Sequence, residues 1–237
     1  MSNINKIAIL QANPDKKELE PKYPNDGYKY KAFFSTVFPQ ATFDIYRVFE
    51  EQFPESVEDY DLFIITGSTY SVYDGFEWIN RLEKLIQEIE KKDKYLVGLC
   101  FGHQIIAQAL KGKVERAKGG WRLGMKATEF TNTQWMKPLQ NTLNILYIHQ
   151  DQVVKLPAGA KLLSSNSECG FGAYSIGSRI LALQGHPEFS NDYVQALLPI
   201  IKERFPEKIY DDAMGSLNEK NDGVTFAHWV KAFTEQG

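Results

Sequence analysis

The stretch VGLCFGHQIIAQAL (residues 97–110) puts one of only two cysteines in the chain between two glycines, where an apolar run gives way to helical spacing. KYLVGL (94–99) predicts a buried strand and 102–110 predicts a helix. Gly98 and Gly102 flank Cys100 at two residues on either side, giving G-x-C-x-G. This is the thiol counterpart of the G-x-S-x-G elbow, whose sharp strand-to-helix turn brings backbones close together. Such a turn lifts the central side chain to the carboxyl edge of a sheet and aims a helix N-terminus at it. The partial positive charge there favours a thiolate. Two readings of Cys100 stand on the elbow alone: a buried small hydrophobe, or a nucleophile with the Phe101 N–H placed to donate to an oxyanion.

Outward from the elbow, apolar runs alternate with amphipathic segments. KIAIL (6–10), TFDIYRVF (42–49) and DLFIIT (61–66) predict strands, and 27–38 and 76–93 predict helices. Residues 13–26 hold three prolines and many charges and read as a loop. The alternation predicts an α/β fold: an open, mostly parallel sheet with helices on both faces. After Gly112 the runs shorten. VERA, MKATEF, NILYIH, AKLLSS, GAYSI and RILALQ predict a more mixed half with a small antiparallel sheet. Helices return from Asn191, broken by Pro199 and Pro206. Residues 1–205 read as one domain and 206–237 as a helical C-terminal extension. In that extension Gly215, Asn218 and Gly223 mark a loop before an aromatic helix.

Composition narrows the function. The chain has 237 residues, 43% hydrophobic and 24% charged, enough for a sizeable core. A net charge of −3 gives no electrostatic case for nucleic acid or an anionic membrane. No run of apolar residues reaches the length of a membrane span, and the N-terminus lacks the pattern of a signal peptide. Two widely separated cysteines make no disulfide framework, so a reducing cytoplasm is expected.

A thiol nucleophile needs a base. His186 follows the apolar run ILALQ, and Glu188 lies two residues on. In extended chain, residues i and i+2 face the same side, so Glu188 is expected to orient His186 toward the thiol. His103 forms Cys-x-x-His with Cys100, but no further ligand cluster lies nearby, so no metal and no cofactor are expected. His228 is expected to pack beside Trp229, and Cys169 to be a core or loop thiol.

GLCFGHQ together with LQGHPEF resembles the class I (triad) glutamine amidotransferases, whose patterns are G-x-C-x-G-H-Q and H-P-E. The likeness extends over roughly residues 45–200. It implies the flavodoxin-like class I glutaminase fold and a catalytic triad of Cys100, His186 and Glu188. Cys100 would attack a γ-glutamyl amide carbon, His186 would pass the proton to the departing ammonia, and a glutamyl thioester would then be hydrolysed. Gln104 would hold the α-amino acid end of the substrate. The second oxyanion donor would come from ITGSTYSVYD (65–74), where Gly67 fits the pattern. Ser68 stands where the family has a glycine, and no proline follows, but the Ser68 N–H can still donate. YIHQDQV (147–153) is similar to a substrate-binding segment of the family, Ser-His-Gly-Asp. It marks Gln150 and Asp151 as substrate contacts, with His149 shaping that loop or touching substrate. The resemblance is strongest to free-standing glutaminases akin to that of guanosine monophosphate synthetase, and to γ-glutamyl peptidases. The leading expectation is a glutaminase that passes ammonia to a synthase partner. The alternatives are a γ-glutamyl peptidase and a non-catalytic partner or sensor subunit.

Overall fold

The computed structural model describes residues 4–14, 19 and 22–236. Part of the expected 13–26 loop lies outside them, and its last residue already opens the first helix. The strands are β1 (Lys6–Gln11), β2 (Thr42–Arg47), β3 (Leu62–Ile65), β4 (Tyr95–Leu99), β5 (Lys113–Arg116), β6 (Arg122–Glu129), β7 (Thr142–His149), β8 (Asp151–Lys155), β9 (Ala160–Ser164), β10 (Ala173–Ile176) and β11 (Ile180–Leu183). The helices are α1 (Asp26–Ser35), α2 (Glu77–Lys91), α3 (Phe101–Ala109), α4 (Asn191–Ile200), α5 (Glu207–Ser216) and α6 (Gly223–Thr234).

Among the described residues, seven strands form one sheet in the order β2-β1-β3-β4-β11-β10-β9. The first five run parallel; β10 and β9 are antiparallel additions. RILALQ therefore belongs to the main sheet, beside the elbow strand. Strands β6 and β7 pair as a separate antiparallel ribbon, and β5 pairs with β8. Strand β8 is an addition to the expected elements; its first residues are the end of the YIHQDQV segment.

The central strands are apolar throughout because both sheet faces are covered. Alternate residues serve opposite cores. Ile7, Ile9, Leu62, Ile64, Val97 and Leu99 face α1 and α6, while Ala8, Leu10, Phe63, Ile65 and Leu96 face α2 and α3. Helix α6 buries Phe226, Trp229, Val230 and Phe233 in the first of these cores. A third core joins the β6–β7 ribbon to α4 and α5 through Leu123, Met125, Leu146, Val194, Leu198 and Ala213.

Three local expectations need correction. Pro199 lies inside the last turn of α4 rather than ending it, while Pro206 stands at the N-cap of α5. In the last turn proline forgoes its own bond to the turn before, and the helix ends one residue later; at the start of a helix the missing N–H costs nothing, because the first N–H groups have no intrahelical partner. Gly215 belongs to α5 rather than to a loop. His228 is exposed on the solvent side of α6, since its neighbour Trp229 takes the inward position.

Trp229 is fully buried and donates its indole N–H to Pro138 O at 2.8 Å. Trp229→Ala should therefore cost about 3–5 kcal/mol, read as a lower urea midpoint, with Cys100 reactivity kept in the folded fraction.

Candidate active site

Cys100 follows β4 directly and has φ +53° and ψ −102°. Non-glycine residues rarely occupy this region, and the strain persists only where the surroundings impose it. Here they do. A Cβ on Gly98 would lie 2.5 Å from the carbonyl of Gly102, and one on Gly102 would run into Ile65 O. The turn thus presses α3 against β3 and β4, and only hydrogen fits at those two positions. Gly102 N–H donates to Thr66 O at 3.2 Å, and Cys100 N–H to Leu183 O at 2.9 Å. These bonds pin the elbow to β3 and β11.

His186 reaches the thiol from β11. Its backbone N–H donates to Leu146 O at 2.7 Å, tying it to β7. Its Nδ1–H donates to Glu188 Oε1 at 2.7 Å. The imidazole and the Cys100 side chain both lie against Gly67, close enough to interact electrostatically. The expected triad residues therefore meet in space. The route differs from the extended i, i+2 geometry: residues 187–188 form a turn, closed by Phe189 N–H on His186 O at 3.4 Å. That turn stacks the Phe189 ring on the imidazole at 4.3 Å between centroids, with 2° between planes.

Burial alone would push the His186 pKa down. Its interactions with Cys100 and Glu188 outweigh burial and raise the value from 6.5 to about 10. The Glu188 carboxylate is buried between the imidazole and the Tyr30 hydroxyl. The other two buried histidines go the opposite way. Burial lowers His103 to about 3 and His149 to about 4. His103 packs against the Tyr174 ring in the core, next to the Phe171 backbone. Among the described residues, no cluster of three or more His, Cys, Asp or Glu could hold a metal ion. Cys169 is buried too, which raises its thiol to about 11.

The two backbone N–H groups expected as donors belong to Phe101, the residue after Cys100, and to Ser68, on the loop after β3. Among the described residues, neither Phe101 N–H nor Ser68 N–H donates to a protein acceptor. Phe101 opens α3, where the helix macrodipole adds to its donor strength. Ser68 lines the cleft beside Gly67. A Cβ on Gly67 would lie 2.6 Å from His186 Cε1 and 3.6 Å from Cys100 Cβ, so the imidazole occupies the space a side chain would need. Gly67 N–H is already used: it donates to Tyr30 OH at 2.8 Å.

The remaining candidates form one polar network behind the thiol. Gln104 Nε2 donates to Asp151 O at 2.8 Å and to Gln184 Oε1 at 3.1 Å. Both amide hydrogens are thus engaged, which leaves only Oε1 to face substrate. Gln184 Nε2 in turn donates to Cys100 Sγ at 3.7 Å. Gln150 lines the cleft and accepts from Arg116 at 2.6 Å through Oε1. The Asp151 carboxylate accepts from Ser71 and Tyr73. His149 Nδ1–H donates to Asp151 O at 2.9 Å, which makes it a support of that loop.

Sequence reasoning missed Gln184 and Tyr30. Gln184 stands two residues before His186 in the motif already singled out, so that motif carried a signal. Tyr30 carried none, because its hydroxyl reaches Gly67 only through the packing of α1 on the sheet.

The cleft and the solvent space at its open mouth together take up about 900 Å³. Besides the triad, Trp121, Ile148, Phe189, Leu197, Ile201 and Arg204 line it.

Residues 32–196 match the family model of class-I glutamine amidotransferases. The chain belongs to the class I glutamine amidotransferase family. It is 33% identical over 201 residues to γ-glutamyl peptidase 4 of Arabidopsis thaliana, an alignment spanning 81% of this chain and 79% of that protein. It is 30% identical over 135 residues to a component chain of the glutamine-hydrolysing GMP synthase of Saccharolobus solfataricus, spanning 56% of this chain and 70% of that protein. The solved structure of a glutamine amidotransferase from Thermotoga maritima shares the fold over 100% of both chains, with a TM-score of 0.78 at 18% identity.

The elevated His186 pKa has a definite sign. The imidazolium's contribution to stability is complete below about 6.5, its unfolded value, and is lost as pH rises through about 10. In an NMR titration His186 should stay protonated through neutrality while His103 and His149 stay neutral, and Glu188→Gln should lower the His186 pKa. Brief iodoacetamide treatment at neutral pH should label Cys100 well before Cys169, as peptide mapping will show.

Proposed function

We propose that this chain is a cysteine-dependent hydrolase of γ-glutamyl amide bonds, and that γ-glutamyl peptides are its substrates. The observation that carries the first part is the assembly at Cys100. A strained elbow presents the thiol, His186 and Glu188 face it as base and orienter, and two unengaged N–H groups stand beside it. The Cys100 thiolate attacks the γ-carbonyl carbon, and Phe101 N–H and Ser68 N–H receive the developing oxyanion. The His186 imidazolium gives its proton to the departing amine as the C–N bond breaks. A glutamyl thioester remains. His186, now neutral, takes a proton from water, the resulting hydroxide adds to the thioester carbonyl, and glutamate leaves as the thiol is restored.

The choice of substrate rests on the cleft. Ammonia as leaving group needs no room beyond the triad. The lining residues Trp121, Ile148, Leu197 and Ile201 offer apolar surface to a larger amine, and Arg204, in the same lining, offers it a carboxylate partner. The likeness to a γ-glutamyl peptidase along most of the chain supports the same choice. Gln104 Oε1, Gln150 and Gly67 remain the proposed contacts for the glutamyl end. A thiol nucleophile works in a reducing compartment, so the cytoplasm is the proposed location.

The second reading is the glutaminase that the sequence favours, with its ammonia taken by a synthase partner. The likeness to the GMP synthase chain supports it. The two readings separate on the purified chain. Under the first, kcat/KM for glutathione should exceed that for glutamine by tenfold or more, about 1.4 kcal/mol of discrimination. A preference for glutamine, with a rate raised by an added synthase, would restore the second. Cys100→Ala should abolish glutamate release from either compound in a folded protein. His186→Ala should be nearly as severe, and Glu188→Gln milder. A γ-glutamyl chloroketone should leave an adduct on Cys100, whereas a non-catalytic subunit would carry none.

A further inference from the structure

Asp151 opens β8 at the edge of the cleft and is only 7% exposed. Its backbone carbonyl is held from one side by Gln104 Nε2 and His149 Nδ1, at 2.8 and 2.9 Å. Its carboxylate turns to the other side, toward the loop that follows β3. Ser71 Oγ–H donates to Oδ2 at 2.5 Å, and Tyr73 O–H donates to Oδ1 at 2.8 Å. Each carboxylate oxygen is thus engaged by a residue a few positions beyond Ser68. The near half of the same loop is braced on β1. Ser68 Oγ–H donates to Ala12 O at 2.7 Å, and Thr69 N–H donates to Asn13 Oδ1 at 3.0 Å.

We propose that Asp151 is a positioning residue: by gripping Ser71 and Tyr73 it holds the 67–74 loop so that Ser68 N–H stays beside Cys100 as a ready oxyanion donor, with no partner protein required. The inference rests on the amide-hydrolysis reading above. It gives Asp151 a role in place of the substrate contact that the sequence suggested, because the oxygens a substrate would need are engaged by the loop.

The physical case has three parts. A donor stabilises an oxyanion only if it is fixed before the charge develops. Ser68 sits on a loop rather than on a strand or helix, and loops are the mobile parts of a fold. Hydroxyl-to-carboxylate bonds are among the stronger hydrogen bonds available to fix one. Partial desolvation of its hydroxyl and the bond to Asp151 raise the pKa of Tyr73, although the residue is 49% exposed, so the hydroxyl keeps the proton it donates. On the other wall, Asp151 is joined through Gln104 and Gln184 to Cys100 Sγ. One residue therefore ties the oxyanion loop to the network that touches the nucleophile.

The test compares wild type with Asp151→Asn and with the double variant Ser71→Ala/Tyr73→Phe. The double variant leaves Asp151 in place and reads the grip even if Asp151→Asn folds poorly. Three sets of measurements are taken on each. The first is glutamate release from glutathione or glutamine, whichever wild type turns over. The second is competitive inhibition by free glutamate, and iodoacetamide alkylation of Cys100 accompanies it. The third is backbone hydrogen exchange in 69–74. We expect kcat/KM to fall about 10- to 100-fold, short of the roughly 100- to 1,000-fold cost of losing an oxyanion donor outright. Exchange in 69–74 should quicken. Inhibition by glutamate should hold, and so should alkylation, since displacement of iodide passes through no oxyanion. Weaker glutamate inhibition would make Asp151 a substrate contact and overturn the proposal. So would a parallel loss of alkylation, which would mean general distortion, or unchanged turnover and exchange. If wild type releases glutamate from no γ-glutamyl compound, the hydrolase reading fails by itself. Exchange in 69–74 then decides the grip: quickened exchange supports it and unchanged exchange overturns it.

Discussion

The close approach of α3 to β3 and β4 is the constraint on which the site depends. It is made possible by two missing side chains, at Gly98 and Gly102, and its cost is the left-handed backbone of Cys100. Strain of this kind costs on the order of 1–3 kcal/mol and survives only when the surroundings over-determine it. Buried strands on either side of β4 and the hydrogen bonds from Gly102 to Thr66 and from Cys100 to Leu183 provide that. What the strain secures is a thiol at the carboxyl edge of the sheet with a helix N-terminus behind it.

Electrostatics complete what the backbone begins. His186, Glu188 and Cys100 lie together out of water, where charge is expensive unless it is paired. The pairing holds the imidazole in its charged form, as the raised pKa records. His149 and His103 are buried without such partners and remain neutral. Identical side chains thus take opposite protonation states within one domain, and the difference lies in which carboxylate or thiolate each one meets. Neutral His149 can then serve as a hydrogen-bonded brace for Asp151.

The parallel sheet and the antiparallel ribbon have different tasks around this centre. The sheet supplies the elbow and the loops after β1 and β3, because the carboxyl ends of its strands converge there. The ribbon supplies reach. Through Leu146 it holds the backbone of His186, and beyond His149 it carries Gln150 and Asp151 to the far wall of the cleft. Helix α4 closes the remaining side with Leu197 and Ile201. The site is therefore a junction between the main sheet, the ribbon and the helix packed on it.

What the sequence determined by itself is local. Alternation of apolar runs and amphipathic segments gave the α/β layers, since burial on both faces leaves strands such as LFII (62–65) apolar throughout. G-x-C-x-G gave the elbow, because backbone crowding at that turn excludes a Cβ wherever it occurs. His186 and Glu188 were legible as a pair because two residues along one chain cannot lie far apart, although a turn rather than an extended strand joins them. Tertiary structure decided the rest. Tyr30 meets Gly67, Gln184 meets Sγ, and Ser71 and Tyr73 meet Asp151, each across a long stretch of chain. No periodicity or spacing encodes such meetings, since they depend on how separate elements pack. Gln104 and Asp151 show the difference most clearly. Their positions in the motifs marked them for substrate, but only packing shows that the Gln104 amide hydrogens and both Asp151 carboxylate oxygens are engaged by the protein itself.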